Sequence, residues 1–116
     1  MALIQVGPDH AIAGVIHTQI MRDDTQTDPQ HAFSANINAP GVPPQTLPLN
    51  NNSSINIPVH SGVMNGTIHV EVDDFQVLPS GATAGNATAI SCKVVFKLVE
   101  FFSITLGSVN VTASLK

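Results

Sequence analysis

Charged side chains are scarce in this sequence, and the scarcity excludes several kinds of partner. Asp, Glu, Lys and Arg make up 10% of the 116 residues, whereas a typical globular domain carries about 25%. The basic residues are Arg22, Lys93, Lys97 and Lys116, and the net charge is −4. Because so few cations cannot form a basic patch, we expect neither nucleic acid nor a membrane as a partner. A small soluble protein normally covers itself with charge, so the shortage favours a chain that hides surface against copies of itself.

Tryptophan and tyrosine are absent, and cysteine occurs once. Without Trp or Tyr, the ring faces on which sugars and single-stranded nucleic acids commonly stack are missing. The single Cys92 excludes an intrachain disulfide. Its place on an apolar strand face favours a small core residue over a nucleophile.

Long hydrophobic runs are missing as well. No apolar run approaches the length that spans a bilayer. Residues 1–8 lack the basic start and the long apolar stretch of a signal peptide. We therefore expect no membrane segment and no visible leader. The cellular location stays open, and the expected self-association favours a particle or a surface.

Local signatures of catalysis are also absent. The sequence contains no nucleophile elbow, no P-loop and no dinucleotide-binding fingerprint. None of the five histidines stands in a zinc-binding motif. We therefore predict a protein that is not an enzyme and that carries no cofactor.

Two acidic clusters are the candidates for a calcium site. Asp23, Asp24 and Asp28 share one turn-rich segment, and Asp73 and Asp74 lie together further along the chain. Calcium takes six to eight oxygen ligands, which two such loops could supply. Because aspartate is also a common turn residue and no EF-hand pattern occurs, we favour a role in turns, with calcium binding as the alternative.

Alternation of apolar and polar residues predicts an all-β fold. Apolar residues occupy every even position from 90 to 106 except 100, as in a strand with one buried face. At about 3.3 Å per residue such a strand would reach roughly 55 Å, beyond the roughly 35 Å diameter of a compact domain of this size. The strand must therefore bend, break or pack on a neighbour. Val94, Leu98 and Phe101 also fit a helical spacing, but the absence of helix caps favours the strand.

Shorter segments predict the other strands. Pro58 favours an edge strand over residues 55–59, and Asn65 with Gly66 forms a hairpin signal. A one-residue shift of the apolar register across residues 73–74 predicts a bulge or a bend. The remaining strand candidates cover residues 2–6, 11–22, 32–38, 67–72 and 109–115.

The predicted architecture is one domain over residues 1–116, an antiparallel β-sandwich or jelly-roll-like fold. Residues 39–54 hold four prolines and predict an extended loop or arm. The odd-numbered face of the long strand carries Val95, Val99 and Phe101, which we predict to form an interface.

These features favour a structural subunit of a particle, filament, coat or capsid decoration. It would assemble with itself through β-strand addition and apolar packing. The alternative is a β-sandwich recognition module that binds a carbohydrate or a protein through the acidic loops, with or without calcium.

Overall fold

The computed structural model describes residues 2–62, 65–83 and 85–115. Over these ranges every regular element is a β-strand, and the strands form two antiparallel sheets. No helix in this part of the chain has the length and hydropathy to cross a membrane. The strands are β1 (Leu3–Gln5), β2 (His10–Ile12), β3 (Ile16–Asp23), β4 (Phe33–Asn38), β5 (Gln45–Pro48), β6 (Ser54–His60), β7 (Asn65–Leu78), β8 (Ala89–Val99) and β9 (Ser103–Ser114).

In the first sheet, β4 lies between β3 and β5, and both β1 and β2 pair with the other side of β3. The Val6 N–H donates to the Ile20 carbonyl at 2.8 Å. Strands β1 and β2 therefore form one edge strand along β3, which is interrupted at residues 7–9. The predicted strand over residues 11–22 breaks after Ile12, where a tight turn leads into β3.

The second sheet is a meander in the order β6, β7, β8, β9. The register of β7 against β8 shifts between Asp73 and Gln76, which confirms the bulge predicted there. A second irregularity lies opposite Phe96 and Lys97, where Leu106 is the additional residue of β9. The hairpin predicted near Asn65 and Gly66 joins β6 to β7, but both residues pair with β6 and therefore belong to β7 and not to the turn.

The long alternating segment breaks into a hairpin. Val99 at the end of β8 pairs with Ser103 at the start of β9. The Glu100 N–H donates to the Phe102 carbonyl at 3.1 Å and closes the turn. The helical alternative for this segment is wrong. The hairpin resolves the length conflict, because the described chain is only 46 Å in its longest dimension.

One hydrophobic cluster receives buried side chains from both sheets. Its members alternate along β3, β4, β7, β8 and the second half of β9, as predicted for the last three of these strands. Thr18 is buried among them, and its hydroxyl donates to the Asn36 carbonyl at 3.1 Å. The largest fully buried apolar side chains are Phe96, Ile16, Ile37, Leu47, Leu49, Ile68, Ile90, Val59, Val70 and Val94.

The proline-rich segment contributes to this cluster. Residues 45–48 form β5, which pairs with β4 at the edge of the first sheet. Leu47 and Leu49 are fully buried. Within this chain, the segment predicted as a loop or arm is therefore partly a paired strand.

Candidate interaction surface

Four apolar side chains are exposed together at the end of the β8–β9 hairpin. The exposed fractions are 38% for Val99, 101% for Phe101, 63% for Phe102 and 46% for Ile104. We call these four residues the hairpin tip. Single exposed apolar residues are ordinary, but a group of this kind is typical of an interaction site.

The tip is exposed because the hairpin extends past the first sheet. Gly107 is the point where β9 meets β2, since a β-carbon there would lie 3.3 Å from Ile12 Cγ2. On the hairpin side of Gly107 burial no longer alternates, and residues 103–105 are all exposed. On the C-terminal side of Gly107, Val109 and Val111 are buried. The two faces of the hairpin end are therefore both open to solvent.

Gly66 lets the tip lie close to the start of β7. A β-carbon at Gly66 would be 2.9 Å from Glu100 Cγ and 3.1 Å from the Val99 carbonyl oxygen, and the φ of Gly66 is +129°. A side chain at Gly66 would thus displace the Glu100 side chain and strain the backbone. Glu100 is the only charged residue between positions 98 and 106.

The three residues predicted as an interface are placed in two different environments. Val99 and Phe101 belong to the hairpin tip. Val95 is only 8% exposed and lies opposite Glu71, which forms an ion pair with Lys97 at 2.6 Å. The structure therefore places Val95 under a polar cross-strand pair and away from the tip.

The even-numbered alternation over residues 90–106 places Phe102 and Ile104 on the predicted core face, but both side chains are exposed. They continue the even-numbered alternation of β8, so the pattern alone gave no reason to separate them from the core. The length of the segment could have predicted their exposure, because a strand longer than the domain must extend beyond the core at one end.

Strand β9 is the second part of the candidate surface. It forms one edge of the second sheet, and its 12 residues include no charged residue and no proline. The opposite edge strand is β6, which contains Pro58, as that proline predicted. Natural edge strands are commonly protected by charge, proline or a short length, so β9 is a favourable site for strand addition.

The carboxylates of the first acidic cluster serve as turn acceptors. The Thr25 hydroxyl and the Thr25 N–H donate to Asp23 Oδ1 at 2.7 and 3.0 Å, and these bonds lower the pKa of Asp23. The Gln30 N–H donates to Asp28 Oδ1 at 2.9 Å and, with a hydrogen bond from His31, lowers the pKa of Asp28.

The other candidate calcium ligands are Asp24, Asp73 and Asp74. Asp24 Oδ1 accepts a hydrogen bond from the Ala2 N–H at 3.2 Å. Asp73 and Asp74 lie in the β7 bulge, where the φ of Asp74 is +56°. Across residues 2–62, 65–83 and 85–115, no group of three or more His, Cys, Asp or Glu side chains could hold a metal ion.

A polar cleft of about 270 Å³ lies beside the first acidic cluster. It separates the loop after β3 from the segment before β8. Carboxylate, amide and hydroxyl groups supply much of its lining. The lining residues are Asp24, Gln26, Thr27, Gly85, Asn86, Ala87, Thr88 and Leu115.

Cys92 lies in the interior, as the sequence predicted. Its side chain is buried in β8 among the core residues. Burial raises the pKa of the thiol to about 11. The thiolate, which is the reactive form, is therefore rare at neutral pH.

No family model, no curated protein and no solved structure matches this chain.

Proposed function

We propose that this protein is a structural subunit that assembles with copies of itself through apolar packing and strand addition. The two sheets would form a β-sandwich, with a jelly-roll-like arrangement as the finer expectation. The assembled object would be a particle, filament, coat or capsid decoration. The observation that carries this proposal is the exposed hairpin tip.

Burial of the tip supplies a clear driving force for association. Moving a fully exposed Phe side chain out of water contributes about 1.5–3 kcal/mol. Phe101 and Phe102 are the two most exposed large apolar residues of the described chain. Val99 and Ile104 adjoin them on opposite faces of the hairpin, so a contact that encloses the hairpin end would cover all four side chains.

The β9 edge provides direction for the same contact. Main-chain hydrogen bonds to an added strand fix orientation and register, whereas apolar packing alone does not. The two features occur on the same hairpin. A neighbouring copy could therefore use both at once, and no enzymatic role is part of the proposal.

Light scattering coupled to size-exclusion chromatography tests the proposal. At micromolar concentration the measured mass should be a multiple of the 12.1 kDa chain mass. A monomer over the whole accessible concentration range would refute self-assembly.

Charged substitutions at the tip test the surface. Phe101→Asp and Val99→Asp should each give a smaller soluble species, because a buried unpaired carboxylate is strongly unfavourable. Thr46→Asp, at an exposed position of β5, is the control and should assemble normally. Normal assembly of both tip variants would show that the tip is not the contact.

The polar cleft favours a second candidate function. Its carboxylate, amide and hydroxyl groups suit a carbohydrate or a polar segment of a protein. In this case the chain would be a recognition module that binds through the acidic loop, with or without calcium. Thermal melts with calcium and with a chelator would separate the two forms, since a calcium-dependent module should melt higher with the ion.

A further inference from the structure

Hydrogen bonds at the end of β9 define which backbone groups face outward. The Leu115 N–H donates to the Thr88 carbonyl at 2.9 Å, on the side of β8. The carbonyl of the preceding residue, Ser114, accepts a hydrogen bond from Arg22 Nη1 at 3.4 Å. Successive residues of a paired strand direct their backbone groups to opposite sides. The backbone groups of the even-numbered residues 108–114 therefore face the open edge.

The open stretch of this edge is limited at both ends. At one end the bulge at Leu106 interrupts the regular strand. At the other end Arg22 occupies the Ser114 carbonyl. Between them, Ser108, Asn110 and Thr112 direct their backbone groups to the edge, where Asn110 and Thr112 also border a cavity of about 110 Å³ that is lined by Val6, Pro8 and His10 at the edge of the first sheet. Asn110 is the midpoint of this stretch.

We propose that two copies pair through antiparallel β9 strands about a two-fold axis at Asn110. This inference rests on the proposed function of self-assembly and names its contact. Asn110 would face Asn110 of the second copy, and Ser108 would face Thr112. In this register the bulge at Leu106 lies opposite Ser114, so the two interruptions coincide and the whole open stretch of each strand is used.

Two exposed isoleucines support the same axis. Ile4 pairs with Arg22, an even-numbered residue of β3, and therefore lies on the face of the first sheet that carries Ile20. Ile104 pairs with Leu98 and lies on the corresponding inner face of the second sheet. Ile4 is 40% exposed and Ile104 is 46% exposed. Each isoleucine thus extends beyond the cover of the opposite sheet in its own chain.

The two-fold axis brings Ile104 of one copy close to Ile4 of the other. Arg22 lies between β1 and the C-terminal end of β9, because it is the register partner of Ile4 and its side chain donates to the Ser114 carbonyl. Because the two β9 strands run antiparallel about the axis at Asn110, the start of β9 in one copy lies beside the end of β9 in the other. Ile104 of each copy would then lie over β1 of its neighbour. One symmetric contact would therefore pair the β9 edges and cover Ile4 and Ile104 on the inner faces of the sheets.

Disulfide trapping tests this register. Asn110→Cys places a thiol at the axis, where facing Cα atoms would be about 5.5 Å apart, within the range of a disulfide. Ser108→Cys alone is the matched control, because its copies would be offset by four residues, or roughly 14 Å. Both positions are exposed, and Cys92 stays buried in every variant. A mixture of Ser108→Cys and Thr112→Cys should also cross-link, which provides a second test if one variant folds poorly.

Under mild oxidation, Asn110→Cys should form a covalent dimer about tenfold or more faster than Ser108→Cys, because the proposed pairing holds the two thiols at a high effective concentration only at position 110. Equal rates for these two variants, with wild-type protein still oligomeric by light scattering, would overturn the β9 contact and leave self-assembly intact. A monomeric wild-type protein would instead overturn the proposed function and this contact together. Rapid cross-linking of the Ser108→Cys and Thr112→Cys mixture would support the register independently.

Discussion

At the scale of single residues, backbone conformation shows where this sequence is not optimal for its fold. Among the residues that the structure describes, three other than glycine have positive φ: Ala13 at 53°, Asn52 at 65° and Asp74 at 56°. Asn and Asp tolerate this region because their side chains bond locally. Alanine has no such compensation, so Ala13 is held in place by the β2–β3 turn.

Ala13→Gly should stabilise the protein. Ala13 and Gly14 both have positive φ, as in type I′ turns, and the Val15 N–H bonds to the Ile12 carbonyl at 3.2 Å across the turn. Removing the β-carbon relieves strain, so we expect a gain of about 0.5–1 kcal/mol in the free energy of unfolding. Urea denaturation measures it.

Ala11→Gly is the control for this change. Ala11 is exposed in β2, where glycine only weakens the strand. The control should lower the free energy of unfolding. A loss of stability in Ala13→Gly as well would argue against the turn conformation.

At the scale of elements, alternation predicted those strands that have one buried face. It placed Ile68, Val70 and Val72 on the core face of β7, and the shift across Asp73 and Asp74 predicted the bulge. These inferences succeeded because side chains alternate across a sheet regardless of the neighbouring strand.

The connections were less predictable for physical reasons. The turn after Val99 contains Glu100, Phe101 and Phe102, none of which is a typical turn former, so nothing local marked the break. Strand β5 was not predicted, because it contains Pro48 and directly follows Pro43 and Pro44. Proline cannot donate to a ladder, yet it is accepted at a sheet edge, and that is where β5 lies.

Leu47→Ala tests whether β5 is an integral part of the chain's own core. Leu47 is fully buried, so the substitution should cost about 2–5 kcal/mol. Leu3→Ala is the matched control, because Leu3 is 54% exposed and should change stability by less than about 0.5 kcal/mol. Urea midpoints distinguish the two. Equal small effects would indicate that residues 45–48 do not pack as described.

The cross-strand pair of Glu71 and Lys97 predicts a pH dependence. The Lys97 ammonium donates to Glu71 and lowers the pKa of that carboxyl. A carboxyl with a lowered pKa in the folded state contributes stability above its ordinary pKa of about 4.3. This contribution is lost as the pH falls through the folded-state value.

Glu71→Gln should therefore lower the urea midpoint at pH 7 and have less effect near pH 3. Both side chains are partly exposed, so the effect is expected to be small. In a Lys97→Met background, the same substitution should lose most of its pH dependence. A Glu71→Gln effect that is constant from pH 7 to pH 3 would show that the ion pair does not contribute.

At the scale of the whole molecule, the exposed hairpin tip and the uncharged β9 edge are the features on which the proposed self-assembly rests. The shortage of charge and the overlong alternating segment led to the same hypothesis from the sequence. The sequence could not predict the residue at which the hairpin extends past the first sheet, because that residue is set by where the contact between β2 and β9 ends. The point of contact at Gly107 and Ile12 exists only in the folded chain.

Association of this kind should make thermal stability depend on protein concentration. A partner that binds only the folded state stabilises it by mass action, so a hundredfold rise in concentration contributes up to about 2.7 kcal/mol. For a chain of this size that corresponds to a rise of several degrees in the melting temperature. Calorimetry or circular dichroism over this concentration range measures the shift.

Ile104→Asp should remove the concentration dependence, because it places a carboxylate where the second copy would cover the tip. Ile104 is already 46% exposed in the single chain, so the dilute protein should melt close to the wild-type value. That combination separates a contact between copies from a contribution to the fold. If Ile104→Asp instead lowered the melting temperature equally at every concentration, the side chain would stabilise its own chain, and the hairpin tip would not be the surface that joins the copies.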